Sequence, residues 1–384
     1  MIFETYIQSY VFAFNGLERE IWNYQDGCVL TAMQELYEAE ENPLYYQSIS
    51  AFMDQFIGED GCIRSYNAKD YNLDKIPPGR VLFFLYGHTK EKKYRYAIEN
   101  LMEQLRSQPR TSCGSFWHKK IYPYQIWLDG LYMGMPFYAL YEKCFGDGNG
   151  YSDIIKQFQN ARQCLYDRKT GLYYHAYDES RKLFWADRET GCSANIWSRA
   201  LGWFFMALVD CYETIPDKEQ AGKAYLKFLF CDLAERLLEY QDSDTGLFYQ
   251  LTVLQEEPEN YLETSASAMF AYGFLKGCRL GLLGTETFRA KGEEILLSLA
   301  AHKFSYRRGK LELTGMCVGA GLGPETNRKR DGSKKYYLSE PVISDEKKGT
   351  AAVMLAYGEW MKLRKKQGDR QGNFLNIQIY NNCT

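Results

Sequence analysis

Apolar residues recur along most of the chain at the i, i+3 and i+4 spacing of an amphipathic helix. Strand-like alternation is confined to three short segments between the helical ones, at 172–177, 247–252 and 310–314. The pattern therefore predicts an all-α protein of about twelve helices. These lie near residues 3–14, 27–39, 43–57, 79–90, 92–107, 135–146, 151–165, 197–214, 218–240, 263–282, 285–303 and 349–366.

Internal repeats pair these helices into hairpins. YDRKTGLYYH at 166–175 parallels QDSDTGLFYQ at 241–250, and SASAMFAYGFLKG at 265–277 parallels TAAVMLAYGEWMK at 350–362. Weaker parallels join WNYQDG at 22–27 to IWLDG at 126–130. Six hairpins that close on themselves predict an (α/α)6 barrel with short β segments in its rim loops. An open solenoid is the alternative, although solenoids usually keep tighter periods and polar capping repeats. No Pro/Gly/Ser-rich linker divides residues 1–384, so we expect a single domain.

The second helix of each hairpin is predicted to form the inner ring. These helices begin near residues 27, 79, 135, 197, 263 and 349, and they are richest in small residues, which permit close packing. Motifs with Trp, Asp and Arg lie just before them or in their first turns, so we expect all six motifs on one rim. A concave, aromatic-lined rim with a few polar groups is the usual geometry of a ligand site.

Composition narrows the ligand classes. The chain has 32 Tyr, 22 Phe and 7 Trp but only 4 His, which suits a sugar-binding surface or, equally, a large core with Tyr at its margins. A net charge of −3 without a basic stripe argues against nucleic acid. Eleven Cys without CxxC pairs indicate reduced thiols and a cytoplasmic protein. We read the N-terminus as a first helix and not as a signal peptide, and we find no membrane-length apolar run.

Asp129 is the first candidate for chemistry. It lies in YQIWLDGLYMGMPF, among Tyr and Trp side chains. Because proline is favoured at the first position of a helix, Pro136 predicts a helix start near Met135 and places Asp129 on the preceding loop. The residue is then either a turn or cap with Gly130, or an acid whose pKa is raised by partial burial and which is suited to proton transfer.

A second acidic residue and a basic loop are candidates for the same rim. Asp74, in NLDKIPPGR, precedes another inner helix and forms either a turn or one half of a carboxylate pair. FWHKKIYP supplies His118 and Lys119, which could bind a carboxylate-bearing ligand. For Lys120 we favour a solvated loop position.

The remaining candidates come from two further motifs. His175 ends the TGLYYH segment and is either structural or catalytic. WSRALGW places Arg199 between Trp197 and Trp203, where arginine could stack on a ring and bind a carboxylate bidentately. The two tryptophans share a helix face only if the helix begins between them, and either could be core. No phosphate-binding glycine loop, nucleophile elbow or Cys/His metal spacing is present in the sequence.

Several of these motifs together resemble those of a known family. WHKKIYPYQIWLDGLYMGMPF, NLDKIPPG, YYHAYD, WSRALGW and ETSASAMFAYG match, in their order, unsaturated rhamnogalacturonyl hydrolases of glycoside hydrolase family 105, which are related to the unsaturated glucuronyl hydrolases of family 88. The resemblance covers about residues 20 to 365. It implies an (α/α)6 barrel, in agreement with the helix pattern.

The resemblance also implies a reaction. Such enzymes hydrate the C4=C5 double bond of an unsaturated galacturonyl residue left by pectin lyases, and release it from rhamnose without a metal or other cofactor. Asp129 then matches the catalytic acid, and Asp74 a carboxylate that orients the sugar. Further matched positions would contact substrate: Tyr24, His118, Lys119, His175, Trp197, Arg199 and Trp203. The loop at 314–321 is expected to close over the uronate.

Some alternatives stay open. Many family members have W-x-R-G-x-G-W, whereas Ala200 and Leu201 follow Arg199 here, which leaves the leaving sugar undecided. The substrate could instead be an unsaturated glucuronyl oligosaccharide. A sugar epimerase would require more His on the rim, and a non-catalytic glycan-binding barrel would keep binding without Asp129. The expected partner is a small unsaturated oligosaccharide, with no nucleic acid or membrane involved.

Overall fold

The computed structural model describes residues 2–366, which form thirteen α-helices and eight short strands. The helices are α1 (Ile2–Asn15), α2 (Tyr24–Glu40), α3 (Pro43–Asp54), α4 (Arg80–Thr89), α5 (Lys92–Ser107), α6 (Leu128–Cys144), α7 (Gly150–Leu165), α8 (Ser198–Thr214), α9 (Gln220–Leu238), α10 (Thr264–Arg279), α11 (Ala290–His302), α12 (Lys334–Ser339) and α13 (Lys347–Lys366). The strands are β1 (Gln125–Trp127), β2 (Tyr166–Asp167), β3 (Leu172–Tyr173), β4 (Ala176–Asp178), β5 (Phe304–Arg307), β6 (Lys310–Leu313), β7 (Met316–Cys317) and β8 (Val342–Ile343).

The helices form two concentric layers. In the inner layer α2, α4, α6, α8, α10 and α13 each contact the next, and α13 packs back on α2 to close the ring. The outer layer consists of α1, α3, α5, α7, α9 and α11. This closed arrangement confirms the (α/α)6 barrel, because an open solenoid would leave its first and last helices apart.

Small residues explain why the inner helices approach closely. Every residue of α10 from Thr264 to Cys278 is buried, whereas α5 buries only one face. A Cβ placed on Gly273 would lie 2.2 Å from the ring of Phe205 on α8. A glycine is therefore needed where α8 and α10 cross.

The strands are rim-loop elements, paired antiparallel as β1–β4, β2–β3, β5–β6 and β7–β8. Two of the three predicted strand segments contain strands. The prediction at 247–252 was wrong, since this segment makes only isolated bridges, Tyr249 to Leu262 and Leu251 to Trp197. The short helix α12 was not predicted, because six residues give too little periodicity to recognise.

Buried ion pairs line a cavity of about 300 Å³ at the end of the barrel away from the motifs. Asp210, near the C-terminus of α8, contacts Arg80 at 2.7 Å and Lys276 at 2.8 Å, and Tyr272 donates a hydrogen bond to it. These pairs hold the pKa of Asp210 at about 2, against the opposing effect of burial. Arg80 of the NLDKIPPGR motif reaches this cluster, whereas Asp74 and Asp129 lie at the other end, where the inner helices begin.

Within residues 2–366, none of the helices has both the length and the apolar character needed to span a lipid bilayer. The ten cysteines in this range are free thiols.

Candidate active site

Asp129 lies in the first turn of α6, so the prediction that it precedes the helix was wrong. The helix begins at Leu128 and runs through Pro136 to Cys144. Proline removes one helical hydrogen bond, but α6 is buried on nearly all sides, and the Leu128 amide is held by the carbonyl of His175 at 3.1 Å. The start of α6 is therefore fixed by packing and by the Leu128–His175 hydrogen bond, and not by the local preference of Pro136. The Asp129 side chain stays 14% exposed, on the rim shared with the start of α8.

The β1–β4 ladder brings His175 to Asp129. Trp127 pairs with Ala176 in this antiparallel ladder. Leu128, which follows Trp127, therefore lies opposite His175, which precedes Ala176, and Asp129 is the next residue along the chain. His175 Nε2 lies 3.1 Å from Asp129 Oδ2, and His175 Nδ1 lies 2.7 Å from the hydroxyl of Tyr337 on α12. We call these three side chains the relay. Tyr337 fixes one side of the imidazole by a hydrogen bond, whereas the contact of His175 Nε2 with Asp129 Oδ2 is at ion-pair distance without hydrogen-bond geometry within residues 2–366.

A second cluster holds Asp74 on the same rim. Asp74 lies in a single 3-10 turn, Leu73–Lys75, whose start is capped by Asn72. Its carboxylate contacts His118 Nε2 at 3.4 Å and forms a close ion pair with Lys119. The Leu73 amide donates to the His118 carbonyl at 3.1 Å, which ties the two segments together.

Trp127 joins the two clusters. His118 stacks on its ring at 4.9 Å, Tyr122 also stacks on it at 4.9 Å, and His175 meets it edge-on at 5.1 Å. Trp127 was not among the predicted site residues, although it stands two positions before Asp129. Packing against Trp127 therefore fixes the positions of His118 and His175 relative to the carboxylates of Asp74 and Asp129.

The electrostatics of Asp129 differ from the prediction. Burial alone raises the pKa of a carboxyl group, yet His175 and, to a lesser extent, His118 lower the pKa of Asp129 below its usual value. The expectation of a raised pKa was therefore wrong, because it considered the apolar neighbours and not the imidazole across the ladder. In the free protein Asp129 is a carboxylate at neutral pH.

Arg199 lies in the first turn of α8 and is fully buried. Its Nε donates to Ser265 at 2.7 Å, and one terminal nitrogen donates to Glu263 at 3.1 Å. The other terminal nitrogen, Nη1, lies 3.8 Å from Glu346 and has no hydrogen-bond partner within residues 2–366. Most of the guanidinium is therefore used to hold rim segments together, and one N–H group remains for another partner.

Lys348 and Tyr24 adjoin this cluster. Lys348 donates to the Val318 carbonyl at 3.0 Å, pairs with Glu346, and lies 5.7 Å above the ring of Tyr24. Burial lowers the pKa of Lys348 even though Glu346 opposes the shift. Burial also raises the pKa of Tyr24, and the negative charge of Asp74 raises it further. Tyr24 therefore lies between Lys348 on one side of the rim and Asp74 on the other. Extending the parallel between 265–277 and 350–362 by two residues aligns Lys348 with Glu263, a signal that could have identified it.

The two tryptophans of the WSRALGW motif take different positions. Trp197 precedes α8, lies 4.9 Å from the His175 ring and donates to Gln250. Trp203 lies inside the helix, where it stacks on Tyr132 at 4.8 Å and is 2% exposed. Because α8 begins between them, Trp197 faces the relay, whereas Trp203 forms part of the packed layer below.

Tyr337 was also missed, and no sequence signal identifies it. It lies on α12 within the long segment between β7 and β8, and the same segment covers the rim. A Cβ on Gly321 would lie 3.5 Å from the Trp127 ring, so the loop predicted at 314–321 does pack over this side of the site.

His118 gives a testable pH dependence. Burial lowers the pKa of His118 from 6.5 to about 4, so the unfolded chain binds a proton below pH 6.5 that the folded chain does not bind until about pH 4. Stability must therefore fall as the pH falls through this range. Relative to His118→Asn, we expect the wild-type unfolding free energy to decrease by about 3 kcal/mol between pH 6.5 and 4.

Urea denaturation at several pH values would measure this difference. The exposed His302, at the end of α11, provides a matched control as His302→Asn. Equal pH slopes for the wild type and His118→Asn would contradict the burial argument.

Comparisons with known proteins agree with this architecture. The model of Glycosyl Hydrolase Family 88 matches residues 7–364. A solved family 105 glycoside hydrolase from C. acetobutylicum ATCC 824 is 39% identical, covers 94% of this chain and 100% of its own, and superposes with a TM-score of 0.89. Protein Atu3128 of Agrobacterium fabrum is 40% identical over 237 residues, which are 61% of this chain and 100% of that protein.

A more distant relative has a named activity. The unsaturated rhamnogalacturonyl hydrolase YesR of Bacillus subtilis is 26% identical over 267 residues, which are 67% of this chain and 72% of YesR. The family match over nearly the whole chain, together with the solved relative, settles the classification. The chain matches the glycosyl hydrolases of family 88 and belongs to the related glycoside hydrolase family 105.

Proposed function

We propose that this enzyme hydrates the C4=C5 double bond of an unsaturated galacturonyl residue at the non-reducing end of rhamnogalacturonan-derived disaccharides, releasing the hydrated uronate from rhamnose. The observation that carries the proposal is the carboxylate of Asp129, 3.1 Å from His175 and on the same rim as the Asp74–His118–Lys119 cluster. The activity named for YesR supports the choice of galacturonyl substrate.

In the proposed reaction, a proton is added to C4 and water adds to C5. The C5 hydroxyl product is a hemiketal, which opens by breaking the bond between C5 and the ring oxygen and leaves a ketone at C5. The former ring oxygen then belongs to a hemiacetal at C1, and its collapse to an aldehyde expels the second sugar as an alcohol. Asp129 is the residue that gives the proton to C4 and takes one from the attacking water.

The low pKa of Asp129 requires a source for that first proton. His175 Nε2 is the neighbouring proton carrier, and Tyr337 fixes the imidazole from the other side. We propose that His175 Nε2 supplies this proton across its 3.1 Å contact with Asp129 Oδ2. An anionic substrate carboxylate next to Asp129 raises the carboxyl pKa and moves the proton to Asp129.

The other site residues are proposed to bind the sugar. Asp74 accepts hydrogen bonds from sugar hydroxyls and is held in place by Lys119 and His118. Trp197, itself buried, packs against the His175 ring and holds it beside the sugar. Tyr24 and the free N–H group of Arg199 face the ring from the other side, and Trp203 supports this layer from below through Tyr132.

The test is the ultraviolet absorbance of the conjugated double bond. We expect it to decay when the protein is mixed with the unsaturated rhamnogalacturonan disaccharide, and to decay much more slowly with an unsaturated chondroitin disaccharide. The opposite preference would indicate an unsaturated glucuronyl hydrolase. No decay with either, combined with saturable binding, would indicate a glycan-binding barrel and contradict the proposal. A cytoplasmic location, which free thiols favour, is part of the proposal and is tested by fractionation of the source cells.

A further inference from the structure

A short basic segment lies beside the proposed site. Residues 328–335, RKRDGSKK, contain five basic residues and one acidic residue, in a chain whose net charge is −3. The segment leads directly into α12, whose Tyr337 contacts His175. The neighbouring Tyr336 hydroxyl accepts a hydrogen bond from the Gly321 amide at 3.0 Å, which fixes α12 on the loop over Trp127. The basic segment is thus joined directly to the helix and loop that cover Trp127 and His175.

Within this segment, Arg330 is distinguished by its missing partner. Arg328 pairs with Glu325 at 3.0 Å, and Lys334 pairs with Glu257 at 2.7 Å. Across residues 2–366, in contrast, no carboxylate lies within 4 Å of the Arg330 guanidinium and no acceptor bonds to it. Arg330 is half-buried, so its charge is partly shielded from water and is not neutralised by a carboxylate.

Arg330 also reaches the site. A Cβ built on Gly321 would lie 3.3 Å from Arg330 Nη1 and 3.5 Å from the six-membered ring of Trp127. The guanidinium and the indole therefore flank the same glycine. Among the described residues Arg330 contacts neither Asp129 nor Asp74, so it lies beside the reacting groups and not among them.

We infer that Arg330 binds an anionic group on the part of the substrate beyond the scissile linkage. This inference rests on the proposed function and extends it from a disaccharide with a neutral leaving sugar to oligosaccharides that carry a second negative charge. A half-buried guanidinium without a partner suits bidentate binding of a planar carboxylate or of a sulfate ester. The second charge could come from a further uronate residue or from a sulfated leaving sugar, which share this chemistry.

Three substrates separate these sources. They are the unsaturated galacturonyl-rhamnose disaccharide, the tetrasaccharide with a second galacturonate, and the disaccharide carrying a sulfate ester on rhamnose. Loss of the double-bond absorbance gives kcat/KM for each. We expect the wild type to prefer one of the two charged substrates over the neutral one by about tenfold at low salt, and by less at high salt.

Substitutions test whether the preference for charged substrates depends on the Arg330 side chain. Arg330→Gln should bring the charged-to-neutral ratio of kcat/KM close to one, and Arg330→Lys should retain part of it. Arg328→Gln is the matched control, because it removes an equal charge that is already paired with Glu325. We expect Arg328→Gln to keep the wild-type ratio.

Three results would overturn the inference: no preference in the wild type, a preference that survives in Arg330→Gln, or an equal loss on all three substrates in that variant. The last would mean that Arg330 holds the unsaturated ring itself or supports the loop. If the wild type acts on the neutral disaccharide without preference, the inference alone fails. If none of the three substrates reacts, the proposed function fails, and the inference fails with it.

Discussion

Asp129→Asn is expected to lower turnover of the unsaturated disaccharide by about a thousandfold or more, while the protein stays folded. The amide is isosteric with the carboxylate, so packing against the start of α6 is kept. The asparagine amide, however, cannot accept a proton from His175 and pass it to C4. The initial rate of absorbance loss measures the effect, and circular dichroism with thermal unfolding verifies the fold.

A matched control removes a carboxylate from an exposed position. Asp70 is exposed and accepts a hydrogen bond from Asn67. Asp70→Asn should retain wild-type turnover, which separates the loss of a specific proton donor from the loss of one negative charge. Turnover of Asp129→Asn within tenfold of the wild type would contradict the assigned role.

Arg199→Ala is expected to destabilise the protein by about 3–5 kcal/mol, because it leaves Glu263 buried without its cation, while Glu346 keeps its ion pair with Lys348. Glu263 is fully buried and Glu346 nearly so. The sequence pointed only to substrate binding for Arg199, whereas its burial adds this structural role. We still expect an increased Michaelis constant in the folded fraction, since Arg199 Nη1 makes no hydrogen bond within residues 2–366.

A double-mutant cycle isolates the charge effect. Arg199→Met preserves volume and removes the charge, and Glu263→Gln removes one of the two carboxylates. The combined variant should recover part of the stability that Arg199→Met loses, as measured by urea denaturation. A cost below about 1 kcal/mol for Arg199→Ala would indicate that water enters and solvates the carboxylates.

The relay at Asp129 shows why the site was only partly predictable. The motif around Asp129 identified the residue, and the TGLYYH motif identified His175. Their contact depends on three residue pairs between β1 and β4, and strands of this length have no usable pattern. The lowered pKa of Asp129 results from its contact with His175. A prediction based only on the neighbours of Asp129 in sequence could include burial but not the imidazole.

The sequence by itself determined the fold class, the pairing of helices into hairpins and the rim on which the motifs meet. It could do so because helix periodicity and the small residues of the inner helices are local properties, repeated many times along the chain. The tertiary structure alone decided the start of α6, the contacts of Asp129 and Arg199, and the positions of Tyr337 and Arg330. These depend on segments far apart in the chain, such as Lys347 and Asp26 where the ring closes at 2.6 Å. Electrostatic interactions depend on distance in space, which no single segment of a sequence specifies.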